Sequence, residues 1–254
     1  MGEPLLWHFP ISHYNEKVRW ALDWKRVPHR RQVLSASYLW RAWRATGRAT
    51  LPVLHLDGRA IGDSTAIIAA LEQRYPEPPL YPRDATLRRR ALELEDWFDE
   101  EVGHPVRTLV VPALMEAAGG AARTSETLMR GMRPGVQRFF RAIHPLFRLF
   151  YYRRHGIDAA SRAAAARIVA SGFERVAREV GDAGYLAGDR FSVADLTAAA
   201  ILAPIARPPG SIWAELGDYP EPVEMLILEQ RGTPAYRWVH EMYRRHRGAS
   251  AEIR

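Results

Sequence analysis

The sequence contains no cysteine in 254 residues. A chain without thiols builds no disulfide framework and no zinc–thiolate site, and no step can use its own sulfur as nucleophile or redox centre. Lysine is almost as scarce: Lys17 and Lys25 are the only ones, so arginine supplies nearly all of the 36 basic residues. Long apolar runs are missing too. Nothing approaches the roughly 18 consecutive apolar residues of a spanning helix, so no membrane association is expected. Met1 to Pro10 lacks the basic and apolar segments of an export signal, which predicts a cytoplasmic protein. The nine histidines are scattered, without a His-Glu-x-x-His or an i,i+4 pair, and no metal is expected. Gly-x-Ser-x-Gly and phosphate-binding glycine loops are also absent.

What remains is a globular composition, 47% hydrophobic and 26% charged. The net charge of +7 is uneven: up to Arg83 there are 12 Lys/Arg against 7 Asp/Glu, and beyond it 24 against 22. A basic first third favours a small anionic ligand or an acidic surface. Arginine richness alone does not make a nucleic-acid protein. The interleaved aromatic and basic motifs of such proteins are missing, so no nucleic-acid partner is expected.

Leu5 to Phe9 reads as a short strand stopped by Pro10, and Ser12 as the N-cap of a helix. In that helix Tyr14, Val18, Ala21 and Leu22 share one face, with Asn15, Glu16, Lys17 and Arg19 opposite. Arg31 to Ser35 predicts a second strand, and Tyr38 to Arg48 an irregular or weakly helical stretch. Pro52 to Leu56 predicts a third strand, Asp57-Gly58 a hairpin turn, and Ser64 the cap of a helix through Tyr75. The proline-rich segment Pro76 to Arg83 reads as a linker. Beyond it the pattern is helical at roughly 84–118, 134–153, 158–181, 192–206 and 233–246, with Pro105 and Pro112 expected to interrupt the first. Ser192 and Asp195 form a capping pair flanked by Phe191 and Leu196, a structural device rather than a site.

Three segments resemble the glutathione S-transferase family. Ser12 to Leu22 is similar to the start of its first helix. Leu51-Pro52-Val53-Leu54 followed by Asp63 to Ile67 resembles its glutathione-holding segment, and Tyr185 to Asp195 its C-terminal signature. The order and spacing agree over about 200 residues of the 254. The resemblance implies an α/β thioredoxin-like N-terminal domain (βαβαββα, residues 1–80). An all-α helical-bundle domain (88–254) should follow and contribute the electrophile pocket. It further implies glutathione as co-substrate, no metal, conjugation chemistry of the detoxification type, and a homodimer, with Trp40 to Trp43 and Arg88 to Leu94 as plausible contacts.

By the same resemblance the Leu51–Pro52 peptide is cis, and the backbone of Val53 faces outward to dock the tripeptide as an added strand. Ser64 at a helix N-terminus would hold the γ-glutamyl carboxylate and Asp63 the ammonium. Ser12 occupies the place of the catalytic serine or cysteine of the non-tyrosine classes, with Tyr14 as the rival hydroxyl. The missing cysteine argues against thiol–disulfide exchange. Phe9, Ile11, His104, Arg107 and Val111 are expected to line the acceptor pocket, Arg107 either meeting an anionic acceptor or pairing with Glu100 or Glu101. Two functions compete: glutathione transfer to a hydrophobic electrophile (or a related isomerisation or elimination), and a non-catalytic binding or scaffold role. The Trp- and Arg-rich Tyr38 to Thr50, and an aspartate at 63 where a longer acid or amide is commoner, favour the second.

Overall fold

The computed structural model describes residues 2–34, 38–130 and 132–253. Strand β1 (Leu5–His8) alternates its side chains across a sheet, with Leu6 in the main core and Trp7 in a smaller cluster on the other face. Helix α1 (His13–Trp24), β2 (Arg30–Val33), α2 (Tyr38–Thr46), β3 (Val53–Leu56), β4 (Arg59–Gly62) and α3 (Ser64–Arg74) follow, the expected βαβαββα order. The sheet order is β2-β1-β3-β4, with β1 parallel to β2 and antiparallel to β3. The second strand spans Arg30–Val33, and Ser35 lies outside the described residues.

Two expectations change. The stretch after β2 is a regular helix, α2, because Ala42 packs beneath Trp7 and Val53 and gives that segment a buried face. Its Trp40 and Trp43 remain exposed. Helix α1 is not half solvated. Asn15, Glu16, Lys17 and Arg19 are buried together with Val18 and Leu22, since α1 is covered by α3 on one side and by the helical domain on the other.

Beyond the linker come α4 (Ala85–Trp97), α5 (Gly103–Glu116), α6 (Gly120–Leu128), α7 (Pro134–His155), α8 (Ala159–Glu179), α9 (Val193–Ala206), α10 (Glu221–Gln230) and α11 (Pro234–Met242). The break in the first long helical stretch falls at a π turn, Phe98–Val102, rather than at a proline. Pro105 lies in the first turn of α5, directly after the π turn. Pro112 lies inside α5. Every residue of α9 is buried, and it packs on α1, α4, α5 and α11. At its start the Asp195 carboxylate accepts from the Ser192 amide (2.9 Å), the Ser192 hydroxyl (2.8 Å) and the Leu186 amide (2.8 Å). Burial nonetheless raises the Asp195 pKa to about 6, with those hydrogen bonds opposing it.

The linker is tied down on both sides. Lys25 donates to the carbonyls of Tyr75 and Pro78 and pairs with Glu72, and the Val193 amide donates to the Leu80 carbonyl at 2.8 Å. The C-terminal tail does not stay with the bundle. Arg247 pairs with Glu16 (2.6 Å) and Asp23 (2.8 Å) of α1, and Glu252 bridges His29 beside β2.

Candidate functional site

Strand register brings three loops to one end of the sheet. Trp7 lies opposite Val53 and Val53 opposite Gly62, so the exit of β1, the entry of β3 and the exit of β4 are neighbours. From them emerge Phe9 to Ser12, Leu51-Pro52 and Asp63-Ser64. Two helices begin at this end, α1 at the first loop and α3 at the third, and both direct the positive ends of their dipoles there.

Ser12 is the N-cap of α1, its Oγ accepting from the Asn15 amide at 3.4 Å, and it is half-buried. As an acceptor in that bond, the hydroxyl keeps its proton free to donate. Arg19 holds the loop from below through the carbonyls of Phe9 (3.1 Å) and Pro10 (2.8 Å) and the Glu16 carboxylate. Burial works to raise the Glu16 carboxyl, but the guanidiniums of Arg247 and Arg19 outweigh it and hold the pKa at about 2. Tyr14 is directed elsewhere. Its hydroxyl donates to the Asp99 carbonyl at 2.9 Å and lies over Gly103, where a Cβ would collide with it. Burial, then the Asp99 charge, pushes its pKa far up. In this structure Tyr14 joins α1 to the helical domain.

The Leu51–Pro52 peptide is cis. Val53 departs from expectation: it is flanked by β1 and β4 and fully buried, so its backbone lies within the sheet. The segment outside the strand at this end is Leu51-Pro52. The cap of α3 also moves by one residue. Asp63, at φ 77°, accepts from the amides of Thr65 (3.1 Å) and Ala66 (3.2 Å), and Ser64 is the first helical residue. The other Asp63 oxygen pairs with Arg48 at 2.9 Å, a contact the sequence did not signal.

Just behind lies a buried charge cluster that sequence reasoning missed. Lys17, with no exposed surface, pairs with Glu95 and with Asp99 (2.6 Å) and donates to Thr65 Oγ1 (3.1 Å). Thr65 Oγ1 donates to Glu95 at 2.5 Å. The cluster joins α1, α3 and α4. Burial raises the Asp99 pKa against the opposing pull of Lys17.

On the acceptor side, His104, Arg107 and Val111 share one face of α5, with His104 exposed and the other two half-buried. Phe9 packs edge-on to Tyr38 at 4.8 Å, and Tyr14 meets His104 at 6.0 Å. Ile11 is turned into the main core at 6% exposure and does not form an open wall. Arg107 forms no ion pair with Glu100, Glu101 or any other described residue. Two open depressions lie elsewhere: about 440 Å³ beside Leu146, Leu149, Phe150, Arg153 and Arg154, and about 330 Å³ beside Trp7, Trp40, Arg41, Arg44 and Ala45. Among the described residues no group of three or more His, Cys, Asp or Glu could hold a metal, and no helix is long and apolar enough to cross a membrane.

Comparison with known proteins agrees with this layout. Residues 6–79 match the family described as "Glutathione S-transferase, N-terminal domain", and residues 139–221 the one described as "Glutathione S-transferase, C-terminal domain". FtsZ-localized protein A of Caulobacter vibrioides is 30% identical over 125 residues, covering 45% of this chain and 52% of that protein. A probable maleylacetoacetate isomerase of Caenorhabditis elegans is 27% identical over 135 residues, covering 51% and 63%. The matches thus span about half to two-thirds of these curated relatives. A glutathione S-transferase structure from Methylobacterium radiotolerans, in complex with glutathione sulfonate, superposes with a TM-score of 0.53 at 23% identity, covering 93% of both chains.

Proposed function

The chain belongs to the glutathione S-transferase family, and from that premise we propose that it binds glutathione across the ends of β1, β3 and β4 and transfers its thiolate to an electrophilic carbon. The observation that carries this reading is the opening of two helix N-termini at one end of the sheet, with the Ser12 hydroxyl at the first and Ser64 at the second. The α3 terminus, with the Ser64 hydroxyl, receives the γ-glutamyl carboxylate. Asp63 offers its carboxylate to the ammonium, and Leu51-Pro52 offers the backbone beside the cysteinyl unit. The Methylobacterium relative with glutathione sulfonate supports such a ligand.

A free thiol with a pKa near 8.5 is only a few per cent ionised at neutral pH. Lowering that value by two units takes about 2.7 kcal/mol of selective thiolate stabilisation. The α1 terminus contributes roughly 0.3–2 kcal/mol and one charge-assisted hydrogen bond from Ser12 roughly 1.5–3 kcal/mol, enough without a strong base. The thiol proton leaves to solvent, and the thiolate forms the C–S bond. The carbon then either expels its leaving group or, after conjugate addition, takes up a proton. Tyr14, bonded to the Asp99 carbonyl, is the weaker candidate.

Calorimetry with glutathione tests the site: binding in the micromolar to millimolar range that weakens about five- to tenfold in Ser64→Ala supports it. A non-catalytic binding role is the second reading, favoured by the Arg48–Asp63 ion pair, which already engages the acid offered to the ammonium. The name of the Caulobacter relative likewise denotes a location rather than a reaction. Absence of glutathione binding throughout the millimolar range would select that reading. The exposed Trp40 and Trp43 are offered as part of a homodimer contact, and a monomer by light scattering would remove it.

A further inference from the structure

Single apolar side chains on a surface need no explanation, but clusters of them mark contacts. Among the described residues, α2, α7 and α10 each expose more than one large apolar side chain. The α7 cluster is the largest. Phe139, Leu146, Leu149 and Phe150 are each at least 49% exposed, and their spacing of seven, three and one places them on one stripe of the helix. Leu146, Leu149 and Phe150 share the open depression of about 440 Å³ with Arg153 and Arg154. Helix α7 contains five arginines and no acidic residue. Carboxylates from elsewhere do not neutralise it: Glu126 pairs with Arg141, while Glu116 meets Tyr152 and Arg162. Arg138, Arg148, Arg153 and Arg154 form no ion pair among the described residues.

Helix α10 has the opposite charge. Met225 and Leu228, both 49% exposed, lie one turn apart on its outer face. Glu221, Glu224 and Glu229 stand around them, and none of the three forms an ion pair among the described residues. The helix itself carries no base; Arg231 follows at its C-cap. Helix α2, with Trp40 and Trp43 exposed, carries Arg41 and Arg44 and no acid.

In one chain the α7 and α10 faces are both open to solvent, so neither covers the other. Between two copies, charge decides which faces can meet. Packing α7 on α7, or α7 on α2, sets arginine against arginine, which opposes association. Packing α7 on α10 sets arginine against glutamate, with apolar side chains on both sides. We propose that α7 of one copy docks on α10 of a second copy. Met225 and Leu228 enter the depression beside Leu146, Leu149 and Phe150, and Arg153 and Arg154 pair with the glutamates. This contact stands apart from the glutathione site and from the α2 face offered for a homodimer. One helix on one helix is a small interface, so the association is weak, with a Kd on the order of 10–100 µM.

Light scattering across the micromolar range, at low and high salt, tests the contact. The mean mass of the unmutated protein should rise with concentration, and less steeply at high salt. Arg153→Glu with Arg154→Glu, and separately Glu221→Arg with Glu229→Arg, should each weaken self-association about tenfold or more. Mixed in equal amounts, the two variants should associate with each other, because the mixture again sets arginine opposite glutamate. Misfolding of either variant would not produce that recovery. A mass independent of concentration, variants that associate as strongly as the unmutated protein, or a mixture no better than its components would overturn the proposal. Vesicles of phosphatidylglycerol and phosphatidylcholine in equal parts supply the rival surface. Binding to them that is lost in the Arg153→Glu, Arg154→Glu variant, with no association in the mixture, would overturn the proposal in favour of a lipid surface.

Discussion

Replacing Lys17 by methionine leaves Glu95 and Asp99 facing each other without their cation, in a space where Lys17 has no exposed surface and Glu95 only 2%. Methionine fills similar volume, so the cost is electrostatic rather than a cavity. Removing one partner of a buried ion pair typically costs about 3–5 kcal/mol, because the remaining charge is neither solvated nor compensated. For a chain of 254 residues this corresponds to a fall in Tm of about 6–20 °C. The sign with pH follows from the carboxyls. Burial already raises the Asp99 carboxyl against the pull of Lys17, and without that cation it rises further above its value in the unfolded chain. A carboxyl raised in this way costs stability above its folded pKa, and the cost disappears below the unfolded value. The deficit of Lys17→Met should therefore be largest near neutral pH and shrink toward about pH 5. Urea unfolding followed by tryptophan fluorescence at both pH values measures it. A deficit under about 1 kcal/mol, or one equal at the two pH values, would refute the assignment of this cluster as a charge-dependent clamp between domains.

Ser12→Ala, with glutathione still bound, should raise the thiol pKa by about one to two units in an ultraviolet thiolate titration, and an unchanged value would remove Ser12 from thiol activation. Asp195 has its folded pKa raised to about 6, so the chain gains protons on folding between the unfolded value and that pH, and this residue's contribution falls as pH rises from about 4 to 6. Denaturation curves should show the stability gap between the unmutated protein and Asp195→Asn narrowing across that range. A gap that widens would contradict the sign.

The βαβαββα order of the first half was legible because each element depends on local chemistry: a proline at Pro52 opening a strand, a turn at Asp57-Gly58, a cap near Ser64. What failed depends on what covers an element. The polar face of α1 reads as solvated, yet Lys17 and Arg19 are buried because α4 brings carboxylates to the first and the β1–α1 loop brings carbonyls to the second. Periodicity cannot reveal a partner about 80 positions away. Tyr38 to Thr46 reads as weak helix because only Ala42 is buried, and its packing surface comes from other strands. Helices α6 and α10 were not read at all; each has only nine or ten residues and three or four buried positions. At the site, the sequence reading placed the cap of α3 at Ser64, whereas Asp63, at positive φ, takes it one residue earlier.

The returning tail sets an order of events for a chain made from one end to the other. Glu16 and Asp23 are synthesised well before Arg247, which pairs with both and lies 231 and 224 positions later. During translation the first helix therefore waits with Glu16 and Asp23 held only by the nearby Arg19 and Arg31, lacking the second guanidinium that the tail will bring. The sheet-bearing half acquires its final electrostatic balance only after the bundle has been made and the segment around Arg247 has come back. A fragment cut at the proline linker would resemble this waiting state rather than an independent module.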